Sequence, residues 1–224
     1  MCHMSIVEFF LNEANVEHFR GKKVLEVGSA YVNGSVRPII ERFCFPAEYI
    51  GVDIQPGKGV DVVLSAERLV DHFGPDTFDV VISTEMLEHV RDWRIVISNM
   101  KDVLKPGGYM YITTRSKGFP FHAHPYDCWR YEPEDMKQIF ADFEIISLKK
   151  DPEPGVFLIA RKLVNQKGVN LRDIALYSMI LGKRTLSTPS PEDMPFYRRA
   201  RLLVRGLLSE IYHLLINRAS RFLT

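Results

Sequence analysis

Val24-Leu-Glu-Val-Gly28 sets a carboxylate two residues before a glycine, and Gly51-Val-Asp53 ends a second apolar run on another carboxylate. A glycine after such a run lets the backbone turn tightly and approach a ligand where a side chain would collide. Glu26 can accept hydrogen bonds from ligand or loop groups, and its charge suits a cationic amine. Asp53 can accept hydrogen bonds from two ribose hydroxyls. A second concentration of reactive types lies at 115–131, where His122, His124, Tyr126, Trp129 and Arg130 crowd a polar, aromatic stretch. A long loop of this kind is more often functional than ornamental. His122 or His124 would serve as a base or acceptor-orienting group, with Tyr126, Trp129 and Arg130 shaping a pocket.

These residues need a scaffold, and short β-branched runs alternating with helical patterns supply one: a parallel sheet wrapped by helices. Strands are expected at 23–28, 48–53, 59–64, 77–83, 109–114, 143–148 and 156–160. Helices are expected at 5–19, 35–43 and 92–104, and another begins at Glu132-Pro-Glu-Asp, with Pro133 in its first turn. The short turn at 151–155 implies that the last two strands form an antiparallel hairpin. The expected fold is therefore α/β, a Rossmann-like, doubly wound seven-stranded sheet, mostly parallel with the last strand antiparallel. In such sheets ligands bind beyond the carboxyl ends of the strands, which is where Gly28 and Asp53 stand.

In order and spacing, four segments resemble the class I S-adenosylmethionine-dependent methyltransferases, in particular the small-molecule "methyltransferase type 11" kind. They are Val24-Leu-Glu-Val-Gly28, Gly51-Val-Asp53, Phe78-Asp-Val-Val-Ile-Ser-Thr-Glu-Met-Leu-Glu-His-Val90 and Leu104-Lys-Pro-Gly-Gly108. The resemblance implies S-adenosyl-L-methionine as cofactor. It gives Glu26 and Gly28 the methionine pocket, with Ser29 beside them in the loop. Asp53 would take the ribose and Ile54 the adenine face, Ser65 and Ala66 would border the adenine edge, and Thr84 and Glu85 would line the methionine end. His89 also resembles a family position, on the substrate side. Two departures stand out: Gly28 and Gly34 are separated by five residues, and the acid usual before Ala66 is Ser65.

The implied activity is methyl transfer to a small-molecule acceptor, a hydroxyl of a lipid, quinone, sugar or other metabolite. The alternative reading is a noncatalytic cofactor-binding module acting through the C-terminal part. No metal is expected, because His122-x-His124 lacks a third ligand at convincing spacing. Glu85 and Glu88 can bracket a guanidinium, although acids three apart usually face solvent. A nicotinamide enzyme fits poorly, since the loop is not GxGxxG.

Composition agrees with a globular protein: 46% of the 224 residues are hydrophobic and 25% charged. Three widely spaced cysteines suit a reducing compartment, and with no secretory signal visible at the N-terminus the expected location is cytoplasmic. Residues 162–224 hold 11 basic and four acidic side chains, about +7, which leaves about −6 for residues 1–161. An acidic body argues against nucleic acid as a partner. The division expected is a cofactor-binding domain over 1–162 and a basic helical extension over 163–224, with helices at 171–181 and 196–222. Arg198, Arg199, Arg201 and Arg205 open the second of these. That extension can pack on the domain, join two copies, or lie on a membrane surface.

Overall fold

The computed structural model describes residues 3–122, 126–164 and 168–200. The chain opens with α1 (Met4–Glu13) and α2 (Val16–Phe19), followed by β1 (Lys23–Val27), α3 (Arg37–Cys44), β2 (Glu48–Asp53) and β3 (Val62–Val63). After α4 (Leu69–Phe73) come β4 (Phe78–Thr84), α5 (Trp93–Val103), β5 (Leu104–Arg115), β6 (Trp129–Arg130) and α6 (Pro133–Ile139). The described chain then runs through β7 (Phe143–Asp151), β8 (Gly155–Lys162), β9 (Leu176–Ser178) and β10 (Lys183–Thr185).

Seven strands form one sheet in the order β3-β2-β1-β4-β5-β8-β7, with β8 antiparallel to both neighbours and the other pairings parallel. The expected α/β architecture is thus observed. Strand order reverses between β1 and β4, so the crevice above their carboxyl ends is the natural ligand site. Both faces of the sheet are covered, which is why its inner strands read as continuous apolar runs. Leu25, Val27, Val81, Ile112 and Leu158 point to the side packed by α5, while Val24, Val80, Ile82, Tyr111 and Ile159 point to the side packed by α1 and α3.

The irregular start of β5, where its register against β4 shifts, shows why two glycines stand there. Gly107 has φ +80°, and a Cβ on Gly108 would sit 2.7 Å from Leu104 Cδ1 and 2.8 Å from the Asp79 carbonyl oxygen. The expected single helix over 5–19 is broken into α1 and α2, because Asn15 accepts a hydrogen bond from Glu17 N–H (3.0 Å) and starts a new helix. The strand expected at 59–64 is reduced to Val62 and Val63, its earlier residues being used in a turn.

The largest difference lies at 171–181, where the helix expected from apolar spacing is absent. Residues Leu171–Asp173 form a single 3-10 turn, and β9 pairs antiparallel with β6 and β10 in a second sheet. Leu171, Ile174, Leu176 and Ile180 pack into the same core as Trp129, Tyr131 and Met136. Arg94 from α5 clamps the segment, donating to the carbonyls of Leu171 (2.9 Å) and Ile174 (2.8 Å). Tertiary pairing has overridden local helical spacing.

Beyond β10, residues 196–200 are helical, with Phe196 86% and Tyr197 67% exposed. Two arginines of the expected basic cluster are already engaged: Arg198 donates to Met179 O (2.8 Å), and Arg199 to Glu192 O (2.6 Å) and Pro191 O (3.3 Å). Arg201, Arg205 and the remainder of the expected helix at 196–222 lie outside the described residues. No helix among the described residues is long and apolar enough to cross a membrane.

Because Leu176 is fully buried in the main core, Leu176→Ala should lower the global unfolding free energy by about 3 kcal/mol in a single transition. Chemical denaturation followed by tryptophan fluorescence and circular dichroism checks this. An unchanged midpoint would mean that the segment is an appendage rather than part of the core.

Candidate functional site

The loop leaving β1 lies across the end of β2. Gly28 N–H and Ser29 N–H both reach the Val52 carbonyl (2.9 and 3.1 Å), Ala30 N–H donates to Asp53 Oδ2 (3.1 Å), and Tyr31 N–H donates to Lys58 O (2.9 Å). Gly28 has φ +82°, and a Cβ there would lie 2.6 Å from the Met86 side chain. Glycine is thus required at this position by both conformation and space. Gly51 and Gly59 complete the contact: a Cβ on Gly51 would meet Gly59 O at 2.1 Å, and one on Gly59 would meet Ser29 O at 2.7 Å.

The loop walls a cleft of about 620 Å³ at the carboxyl ends of β1, β2 and β4. Gly28, Asp53, Ile54, Ser65, Ala66 and Glu85 of the sequence-derived set line it, and His89 and Tyr126 close its far end. Asp53 is half-buried and receives Ala30 N–H on one oxygen and Gln55 N–H (3.3 Å) on the other, leaving lone pairs for a ligand. Ile54 is exposed on the rim, and Ser65 caps the following turn by accepting from Glu67 N–H (3.3 Å).

Three residues expected at the cleft line other spaces. Glu26 is buried on the opposite face of β1 from Leu25 and Val27, following the alternation of side chains along a strand. Its Oε2 accepts a hydrogen bond from Tyr49 O–H (2.8 Å), and burial raises its pKa to about 7 against the pull of Tyr49 and Arg37. Ser29 is buried beneath Gly51, and Thr84 is buried in β4. All three support the wall rather than form its surface.

Glu85 occupies a left-handed conformation, φ +50°, which is strained for a side chain of its size. The turn is held by Glu85 N–H donating to Thr113 O (2.9 Å), and by the carboxylate's ion pair with the fully buried Arg115. Arg115 also meets Asp151 at 3.2 Å. Burial and then the charge of Glu88 push the Glu85 pKa up to about 8, while Arg115 opposes them. A guanidinium does stand beside Glu85, but it is the chain's own Arg115, whose further acidic partner is Asp151 and not the expected Glu88.

Behind His89 lies a second polar cluster. Glu88 is fully buried; its Oε2 accepts from Thr114 O–H (2.9 Å), and its Oε1 lies 3.9 Å from His89 Nε2 and 3.8 Å from His122 Nε2. Burial opposes the Glu88 charge, but the two histidines and Thr114 outweigh it and hold the carboxyl below its ordinary range. Burial likewise lowers the His122 pKa, but Asp127 and Glu88 more than reverse this and raise it to about 9. His122 therefore faces Glu88 and Asp127 rather than the cleft. His124 lies outside the described residues.

Trp129 and Arg130, expected to shape a substrate pocket, instead fill the core. Both are fully buried in β6, where Trp129 Nε1–H donates to Arg91 O (3.0 Å) and Arg130 forms a bidentate pair with Asp127. Arg130 also ties down the loop through Pro120 O (3.0 Å). Sequence reasoning missed Tyr31, Lys58, Met86 and Arg91 on the cleft wall, since nothing in their local spacing distinguishes them. Thr114 and Asp127 were missed because their partners come from distant strands and loops.

A family model described as a methyltransferase domain matches residues 4–148. Among curated proteins, the ubiquinone biosynthesis O-methyltransferase of Vibrio atlanticus is 34% identical over 110 residues, 44% of this chain and 46% of that protein. The human mitochondrial enzyme of the same name is 33% identical over 114 residues, 43% of this chain and 30% of that protein. The chain thus spans less than half the length of these relatives. Solved structures titled as SAM-dependent methyltransferases from Aquifex aeolicus and Archaeoglobus fulgidus share the fold, each with a TM-score of 0.54. They are 18% and 16% identical, cover 70% of this chain in both cases, and are themselves matched over 89% and 93% of their length.

Glu26 yields a pH prediction. Its folded pKa of about 7 exceeds the ordinary 4.5, so between those values the folded state keeps a proton that the unfolded chain has lost. Stability contributed by this group is present below about pH 4.5 and is lost as pH rises towards 7. Glu26→Gln should therefore match wild type at pH 4.5 and exceed it above pH 7 by roughly 3 kcal/mol, the equivalent of a 2.5-unit shift. Denaturant titrations across pH 4.5–8 measure the difference.

Proposed function

From the premise that the chain belongs to the methyltransferase domain family, we propose that the cleft binds S-adenosyl-L-methionine and delivers its methyl group to a hydroxyl of a small molecule. One observation carries this reading: the Asp53 carboxylate and the side-chain-free turn at Gly28 open onto the same cleft at the reversal of strand order. The space is suited to a nucleoside-sized ligand, about 300–1,000 Å³ being usual for small-molecule sites.

Asp53 would take the ribose hydroxyls, Ile54 and Ala66 the adenine faces, and Ser65 the adenine edge. Without a charged acid beside Ala66, adenine binding loses charge assistance and relies on packing and a neutral hydrogen bond. Glu26, Ser29 and Thr84 support the methionine end from behind, and Glu85 borders it. The bound sulfonium supplies an already activated methyl group, so the protein's work is to align the acceptor with it and exclude water. Tyr126, half exposed on the cleft wall, would orient the acceptor. A hydroxyl must also shed its proton, and the side chain closest to that duty is His89, backed by Glu88 and then His122. The curated relatives, named as O-methyltransferases, support a hydroxyl acceptor.

Calorimetry with S-adenosyl-L-methionine and S-adenosylhomocysteine tests the assignment, with NAD as the contrasting ligand. Asp53→Ala should weaken the first two by about 10- to 100-fold, the loss of one or two hydrogen bonds to a charged group. Binding that survives the substitution unchanged, or binding of NAD alone, would refute the cofactor assignment. Release of S-adenosylhomocysteine on addition of quinol or catechol acceptors then tests the transfer itself.

A further inference from the structure

Glu88, His89 and His122 meet although they come from two separate segments, and their ligand atoms all lie within 4.8 Å of one another. Glu88 Oε1 is buried without a hydrogen-bond partner, while its other oxygen is anchored by Thr114 O–H at 2.9 Å. Both histidines turn Nδ1 towards acceptors: His89 towards Tyr126 O at 2.5 Å, and His122 towards Pro120 O at 3.2 Å and Asp127 Oδ2 at 3.4 Å. A backbone carbonyl or carboxylate at Nδ1 takes the N–H there, so that Nε2 offers its lone pair to a metal ion once any proton shared with Glu88 is displaced. The two Nε2 atoms then face Glu88 Oε1 at 3.9 and 3.8 Å.

Two ring nitrogens and one buried carboxylate oxygen, three donor atoms meeting at one point, need a cation among them, a proton or a metal ion. We propose that Glu88, His89 and His122 bind a divalent first-row transition-metal ion, zinc or one of its neighbours, beside the acceptor end of the cleft. Two imidazoles and one carboxylate suit such an ion, and three protein ligands leave a coordination position open. Thr114, Asp127 and the two backbone carbonyls occupy the places of outer partners that fix ligand orientation. Bonds of about 2.0–2.2 Å to a tetrahedral ion set donor separations of about 3.3–3.6 Å. Each imidazole must therefore close on Glu88 by up to roughly half an ångström, a movement open to side chains that are 14% and 20% exposed.

His89 also lines the cleft, so an ion here would favour the ionised form of an acceptor hydroxyl, and His89 would ligate rather than relay a proton. This consequence, unlike the binding itself, rests on the methyl-transfer reading. The search for a third ligand in sequence fails because Glu88 and His89 stand next to each other on another segment, where His122 reaches them only through the fold.

Zinc and cobalt(II) added to metal-stripped protein test the site, by calorimetry and by the visible absorption of bound cobalt. Wild type should bind one ion, and Glu88→Gln and His122→Gln should each weaken binding by at least about 10-fold. His72→Gln, on an exposed helix position, should leave it unchanged. His122→Gln is the deciding variant if Glu88→Gln fails to fold, since His122 is only half buried. Equal metal affinity in wild type and His122→Gln would overturn the proposal and leave a shared proton as the cluster's cation. S-adenosyl-L-methionine binding measured on the same samples separates failure of the metal site from failure of the cofactor cleft.

Discussion

The cleft exists because three backbone segments touch where no side chain can intervene. Gly28, Gly51 and Gly59 bring the β1 loop, the end of β2 and the turn before β3 into direct contact, and a Cβ at any of them would overlap a neighbour by more than a flexible side chain could relieve at Gly51 and Gly59. From that contact follow the Ala30 N–H bond to Asp53 and the Tyr31 N–H bond to Lys58 O, which set the height of the wall. The loop carries few glycines, yet these bonds tie its backbone to the neighbouring segments. Glycine economy in the loop is offset by glycines in the segments that it rests on.

Around this contact the protein keeps an unusual amount of charge out of water. Glu85, Arg115 and Asp151 form one buried group, and Glu88, His122, Asp127 and Arg130 form a second, with Thr113 and Thr114 of β5 hydrogen-bonded to Glu85 and Glu88 respectively. Buried ion pairs return little net stability, because desolvation consumes most of the Coulombic gain. Their value here is geometric: removing any member strands a charge, so the backbone turn at Glu85 and the carboxylate at Glu88 are held to one arrangement. Both groups end at the cleft, where Glu85 and His89 face the ligand space.

What was legible in the sequence depended on how local the cause was. β1, β2, β4, β5 and the β7–β8 hairpin were readable because each is an apolar run bounded by a turn, and burial on both faces of the sheet demands that composition. Asp53 and Gly28 were readable because their roles follow from position at a strand end. The helix expected at 171–181 was an illusion of spacing: Leu171, Ile174 and Ile180 recur as on a helical face, but their neighbours are supplied by β6, more than forty residues upstream. Trp129 and Arg130 looked like pocket residues for a similar reason, since a two-residue strand leaves no periodic trace. Glu88 was read as one of two solvated acids because its partners, Thr114 and His122, are invisible to any local window.

Glu88 and Trp129 stand behind the part of the cleft lined by His89 and Arg91. The family match ends at residue 148, before β8 and before the β6–β9–β10 sheet is complete. The ligand wall formed by Gly28, Asp53 and Ser65 lies wholly inside the match. His89 and Tyr126 of the cleft lie inside it too, but they are held partly from outside: β9 pairs with β6, and Met179 N–H holds Cys128 O at 2.8 Å, two residues from Tyr126. Arg184 reaches back to Asp135 at the start of α6, tying the same sheet to the main domain. The family match therefore contains the Gly28 and Asp53 wall of the cleft but not β9. His89 and Tyr126, the residues proposed to meet the acceptor, are thus held in place partly by a segment that lies outside the family match.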